Sequence, residues 1–512
     1  MNHAAIPAIL IMFMAACAAH CAVTPIWQPY DFEFRSDTRH DNPFFVPFEA
    51  EVTGPKGEKM VIPGFYDGNG VWKIRFSPTS KGDWTLRTSS TDSQLDGKSA
   101  SIRSVGRKNP NNRGALKVDP AHPRHFIFED GSRFFLMGYE CDWLWALDMF
   151  NPKLPTINGF LSKLSNYGFN YMLLNVYAHD TNFRSGTTEL RDYGPPPMFA
   201  WKGTNEEPVH DRLNLPFWQH YDRVMQTMLD HGFIAHIMIT VTNKRVNWPE
   251  RLSPEDDLYF RTVIARYGAF PNVVWDFSKE SFKVRETDYK VKRVKFIHDT
   301  DPYNRLITLH DDMSAYESGV HGDRLDYLSD QNHRNLHETI LKQREIKEWP
   351  VVNQEFGYEE PEDGRDWPYP KVIGAEEKIQ RAWKIYMAGG YGAYYYVRTA
   401  WDIIHPNDNP RGYGYFKNLR DFFEGTRYWL MEPQSDLVSQ GYCLANPGRE
   451  YIVSQMEPGT FTLHIEGAGS ALKAEWFNPL TGERKSAGRL RNGERTLTTP
   501  SGWEGMSVLH VR

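Results

Sequence analysis

The chain has 512 residues, 40% apolar and 24% charged, with 59 Lys and Arg against 65 Asp and Glu and a net charge of −6. That balance excludes disorder and a collagen-like chain, and it leaves no basic excess for a dedicated nucleic-acid binder. At roughly 150 residues per domain the length allows about three domains; the departure from average usage is 16 Trp, 26 Tyr and 30 Phe, rings that suit sugar faces as well as β-rich cores.

The apolar run from Ala4 to Ala19 is too short for a membrane span of about 20 residues and leads into small residues. Residues 1–22 are expected to be a signal segment, so the protein should be exported to the periplasm, the outer membrane or the medium. Met14-Ala-Ala-Cys17 resembles a bacterial lipobox, which would make Cys17 a lipid anchor; cleavage near Ala18 or Ala22 is the alternative. Cys141 and Cys443 are too few for a disulfide framework and read as free buried thiols.

Residues 23–105 are short alternating runs broken by turns, such as Phe44 to Val52, Gly64-Phe-Tyr-Asp-Gly-Asn-Gly70 and Val71-Trp-Lys-Ile-Arg-Phe76. That spacing predicts a β-sandwich with Phe45, Phe48, Trp72 and Trp84 in its core. Residues 106–116, opening on Gly106-Arg-Lys-Asn-Pro-Asn-Asn-Arg-Gly114, are polar and turn-rich and predict a linker. Residues 436–512 return to strands and turns and predict a second sandwich.

Residues 117–435 alternate short apolar runs with stretches of helical spacing. The runs begin at Phe134, Asn170, Ile234, Val273, Leu306, Tyr327, Val351 and Gly392. Eight strands separated by helices predict a closed (β/α)8 barrel, a TIM barrel, so the fold class is α/β with a β-sandwich on either side. No Gly-rich phosphate turn follows any run, which removes support for a nucleotide-binding open sheet.

Chemistry in such a barrel sits at the carboxyl ends of the strands. Here those ends carry Tyr139-Glu-Cys-Asp-Trp-Leu-Trp145, Tyr177-Ala-His-Asp180, Asp276-Phe-Ser-Lys-Glu280, His310-Asp-Asp312, Asp330-Gln-Asn-His333, Asn353-Gln-Glu355 and Arg398-Thr-Ala-Trp401. Acids and aromatics on one rim point to a sugar cleft. Glu280 and Glu355 close the fourth and seventh strands and could face each other across a substrate, the pair that glycoside hydrolysis requires.

This strand-end pair resembles the clan of retaining (β/α)8 glycoside hydrolases. More narrowly, Asn272-Val-Val-Trp-Asp-Phe-Ser-Lys-Glu-Ser281, Asp330-Gln-Asn-His333 and Val351-Val-Asn-Gln-Glu-Phe-Gly357 resemble a bacterial glycosidase family that carries an N-terminal domain of unknown function. Arg75-Phe-Ser-Pro-Thr-Ser-Lys-Gly-Asp-Trp84 is similar to that N-terminal module, and Ala474 to Glu483 is similar to a C-terminal sandwich labelled collagen-binding. The resemblance implies Glu280 as acid/base and Glu355 as nucleophile, with carboxyl groups about 5 to 5.5 Å apart for retention.

In the broad clan an Asn that holds the sugar 2-hydroxyl precedes the acid/base; here the position is Lys279. Lys279 could meet an anionic substrate group, or it could face the helix layer, since neighbouring strand residues point to opposite sides. Asp142, Trp143, His179, His310, His333, Arg398 and Trp401 are further candidates for substrate contact, with Trp401 placed as a sugar platform. Lys244, Arg245 and Arg398 hint at an acidic glycan.

No cofactor is expected. His333-Arg-Asn-Leu-His337 lacks the internal Glu of a zinc helix, Asp311, Asp312 and Asp330 have no calcium-loop spacing, and no G-x-S-x-G elbow is present. The reading is an exported glycoside hydrolase. A non-catalytic carbohydrate-binding or adhesion protein and a lyase acting on uronates are the alternatives, and neither sugar, linkage nor oligomeric state follows from the residues.

Overall fold

The computed structural model describes residues 22–179, 196–362, 371–399 and 404–512. Cys17 with the whole apolar run, Asp180 and Trp401 lie outside these residues. Cys141 and Cys443 are free and buried.

Eight parallel strands form the central sheet: β1 (Met137–Glu140), β2 (Tyr171–Asn175), β3 (Ile234–Val241), β4 (Val273–Lys279), β5 (Ile307–Thr308), β6 (Leu328–Asp330), β7 (Val351–Asn353) and β8 (Tyr391–Tyr394). Their order is β5-β4-β3-β2-β1-β8-β7-β6. The ring nearly closes where β5 meets β6, through a parallel bridge between His310 and Ser329 and the bond from Asp326 N to Ile307 O at 3.0 Å. Every residue of β3 and β4 is buried, because a parallel strand between a filled interior and a helix layer has no solvent face.

Among the described residues, eight helices surround the strands: α1 (Pro155–Asn166), α2 (Leu215–Asp230), α3 (Pro254–Tyr267), α4 (Thr287–Thr300), α5 (Met313–Ser318), α6 (Leu336–Ile346), α7 (Ala375–Met387) and α8 (Gly412–Glu424). Their apolar stripes fall where a 3.6-residue period puts them; α7 buries Ile379, Ala382, Trp383 and Tyr386. Helix α3 starts cleanly, since the Ser253 hydroxyl accepts the Asp256 N–H and Pro254 occupies the first turn.

A small antiparallel sheet, Leu116–Val118, Phe126–Phe128 and Arg133–Phe134, precedes the barrel. It caps the amino-terminal end of the strands, with Phe126 fully buried against Tyr327 and Tyr391. The turn-rich run before it is anchored: Asn111 donates to Asp230 O and Asn112 to Trp27 O, both at 2.8 Å.

The N-terminal module packs a five-stranded sheet against a three-stranded one. Trp84, Leu86 and Thr88 alternate inward on one strand, and Phe48 and Trp72 join them in the core. Phe45 does not. It ends a short 3-10 turn, Pro43–Phe45, and is 40% exposed, because a turn lacks the alternation that turns every second strand residue inward. The module docks on α2 and α3 through buried ions: Arg75 bonds Asp31 and Asp222 and donates to Arg266 O, while Arg266 reaches back to Asp67.

The C-terminal module has a six-stranded antiparallel sheet and a two-stranded one. Phe422 of α8 lies 4.8 Å from the Phe477 ring, and Asn418 donates to Pro479 O, so this sheet shares the barrel's core.

Candidate active site

The last residue of β4 is followed by Glu280 in a left-handed conformation, φ 50° and ψ 50°. A left-handed residue without a glycine's freedom costs roughly 1–2 kcal/mol. The turn breaks the strand's alternation, so Lys279 and Glu280 both stay on the mouth side. The Glu280 carboxylate accepts a bond from Asn243 Nδ2 at 2.8 Å, from the loop after β3, and pairs with Lys283 on its other oxygen.

Across the mouth, Glu355 follows β7. Asn353 Oδ1 accepts its backbone N–H at 3.1 Å, and Gln331 Nε2, beyond β6, donates to its Oε1 at 3.0 Å. Burial pushes the Glu355 carboxyl up to about 7; Lys279 pulls it down, and Glu280 and Asp142 push it further up. The Glu280 charge therefore reaches Glu355 across the mouth.

Lys279 neither faces the helix layer nor reaches solvent. Its ammonium lies inside the barrel, 1% exposed, bonded to Glu140 of β1 and to both Asp142 oxygens at 2.9 and 3.1 Å, with the Tyr395 ring 5.6 Å away. Burial alone would depress the lysine, but Asp142 and Glu140 outweigh it and hold it well above its ordinary value. Burial holds Glu140 well above the usual carboxyl range. Glu140 was visible as the polar end of the first strand, yet no spacing rule pairs it with a residue 139 positions away.

A second group of acids borders the mouth. Asp311, after β5, takes φ 56° and lies against Asp330 of β6. Burial and the Asp330 charge push Asp311 up to about 8, with Glu280 and Glu355 adding to the effect. Asp330 is held by Gln343 of α6. Among the described residues no three His, Cys, Asp or Glu side chains are grouped to hold a metal ion.

Beneath the mouth, His236 of β3 bonds Asp276 of β4 at 2.8 Å and Tyr171 of β2 at 2.5 Å. The carboxylate accepts from Nε2–H, while Nδ1 meets the hydroxyls of Tyr171 and Tyr327. His310 is fully buried nearby, its ring held well below the ordinary histidine range by burial, then by Lys279 and His236. Neither His310 ring nitrogen has a hydrogen-bond partner among the described residues.

The remaining candidates divide by burial. Trp143 is fully buried against Trp145, so none of its surface reaches solvent. His179 lies beside Phe199. His333 stands next to Tyr358, pushed down to about 3 by burial, then by Lys371, Lys378 and Arg381. Arg398 pairs with Asp408 at 3.0 Å, so part of its charge is already neutralised. Carboxyl groups from five strand ends, β1, β4, β5, β6 and β7, thus border one mouth, with Lys279 buried among them.

An eight-stranded parallel barrel with glutamates after β4 and β7 resembles the (β/α)8 glycoside hydrolases in fold. The chain belongs to the family described as Apiosidase-like, catalytic domain, whose model matches residues 121–436; residues 23–91 match a domain of unknown function, DUF5060. No curated protein matches the chain. Among solved structures, one titled a "putative glycoside hydrolase" from Bacteroides vulgatus is 20% identical, with a TM-score of 0.80, covering 96% of this chain and 99% of its own. A glycoside hydrolase family 5 structure from the same organism is 15% identical with a TM-score of 0.60, covering 79% of this chain and 94% of its own. At these identities the likeness is one of fold.

Proposed function

We propose that the protein hydrolyses a glycosidic bond with retention of configuration. Glu355 attacks the anomeric carbon while Glu280 gives a proton to the leaving oxygen, forming a glycosyl-enzyme ester. Glu280 then takes a proton from water, which adds to the anomeric carbon, breaks the ester and frees Glu355. The observation that carries this reading is the pair itself, two glutamates that follow β4 and β7 at one mouth.

The family's description makes a terminal apiosyl residue the first glycone to test. His179 and His333 are read as polar contacts of the substrate, whereas both oxygens of Asp142 are taken up by Lys279. The deciding experiment is a screen of plant oligosaccharides and p-nitrophenyl glycosides, apiosides included, with the first-formed product anomer followed by NMR. Retained anomer from the wild type and no turnover from Glu355→Gln support the reading; turnover by both Glu280→Gln and Glu355→Gln excludes it. An unsaturated, ultraviolet-absorbing product would mark a lyase instead.

A further inference from the structure

Lys279 stands where the wider clan places a substrate-binding Asn, yet its geometry does not suit that task. An ammonium has three N–H donors, and Lys279 directs its nitrogen at three acceptor oxygens, one from Glu140 and two from Asp142. Glu140, Asp142 and Lys279 are 1% exposed or less. A ligand could take an N–H from Lys279 only by displacing one of these buried carboxyl oxygens. What remains available is the charge, which crosses the barrel interior from the β4 end to the β1 end, beneath the mouth where Glu355 is buried after β7.

We propose that Lys279, clamped by Glu140 and Asp142, is a positioning residue whose charge favours the ionised form of Glu355 for attack on the anomeric carbon. This rests on the reading of Glu355 as nucleophile and adds to it a reason for the buried cation. A carboxylate this deep in the barrel would keep its proton without a counter-charge. The clamp matters because a free lysine would turn toward solvent, whereas two carboxyl groups on the β1 end hold it beneath the mouth.

The groups acting on Glu355 come from every side. Lys279 and Glu280 belong to the β4 end, Glu140 and Asp142 to the β1 end, Asp311 to the β5 end, Lys371 to the loop before α7 and Lys378 to α7 itself. Removing one cation and one anion from this set must move Glu355 in opposite directions. Damage to folding alone would not produce opposite signs.

The experiment is the pH dependence of kcat/KM for wild type, Lys279→Met, Lys279→Arg and Asp142→Asn, on the p-nitrophenyl glycoside the wild type hydrolyses fastest. The rising limb of Lys279→Met should move up by about one pH unit or more, that of Asp142→Asn should move down, and Lys279→Arg should stay within about 0.3 of wild type. Should Lys279→Met fail to fold, the downward shift of Asp142→Asn and the rescue by arginine still decide. Limbs that stay together, or that move the same way, overturn the proposal. Glu355→Gln separates the two levels: if it keeps turning over, the nucleophile reading fails, whereas a dead Glu355→Gln with static limbs refutes only the role of Lys279.

Discussion

Lys279 and Glu280 are consecutive, yet both stay on the mouth side of the barrel, because Glu280 leaves the strand in a left-handed conformation. In an extended strand they would point to opposite sides. One residue therefore goes down into the cluster of Glu140 and Asp142 while the next goes up toward Asn243 and Lys283.

The two glutamates should respond differently to the leaving group. Glu280→Ala should lose about 10²–10⁴-fold in kcat/KM on a glycoside with a poor leaving group, and much less on a 2,4-dinitrophenyl glycoside, whose departure needs no acid. Added azide should rescue it by forming a glycosyl azide of retained configuration. Steady-state rates and NMR of the azide product check this; equal losses on both substrates would remove Glu280 from the acid role.

The pH profile should carry a sign that identifies Glu355. Burial pushes its carboxyl up to about 7, and a nucleophile must be ionised. The rate should therefore rise with pH through this region. Were Glu355 the acid instead, kcat/KM would fall over the same range.

Asp311 should make stability depend on pH. Its folded carboxyl is pushed up to about 8, above the ordinary value of 3.8. Between those values the folded state binds the proton more strongly, so stability falls as pH rises from about 4 to about 8. Asp311→Asn, whose amide can still donate to Asp330, should melt higher than wild type at pH 8 and lose most of that advantage by pH 5. Differential scanning calorimetry at the two pH values decides; a variant that gains nothing at pH 8 contradicts the placement of Asp311.

Arg75 should hold the N-terminal module to the barrel. Its guanidinium joins Asp31 of that module to Asp222 of α2, with all three largely buried. Arg75→Ala removes the closest partner of both carboxylates and leaves them only the longer contacts of Asp31 with Lys73 at 3.5 Å and of Asp222 with Arg266 at 3.7 Å, a change worth up to about 3 kcal/mol. Urea unfolding should show that loss. An unchanged midpoint would mean that the apolar contacts alone join the two parts.

Much of the barrel was legible in the residues. Runs such as Val273-Val-Trp-Asp-Phe and Val351-Val-Asn became β4 and β7, since a strand covered on both faces must be apolar throughout its length. The cap sheet around Phe126 was not legible, because three-residue strands have too few positions to show a period. Phe45 was misplaced for a related reason: Pro43 and Pro47 bracket a turn that an aromatic-rich run resembles.

By itself the sequence determined the class of fold and the two glutamates, because strand periodicity and position at a strand end are local properties of the chain. It did not determine what surrounds them. The contact between Lys279 and Glu140, the pairing of Asp311 with Asp330 and the burial of Trp143 depend on which strand ends meet across the barrel and on two left-handed residues at its mouth. Charges act through distance in space and through the dielectric around them, and closure of the barrel decides both.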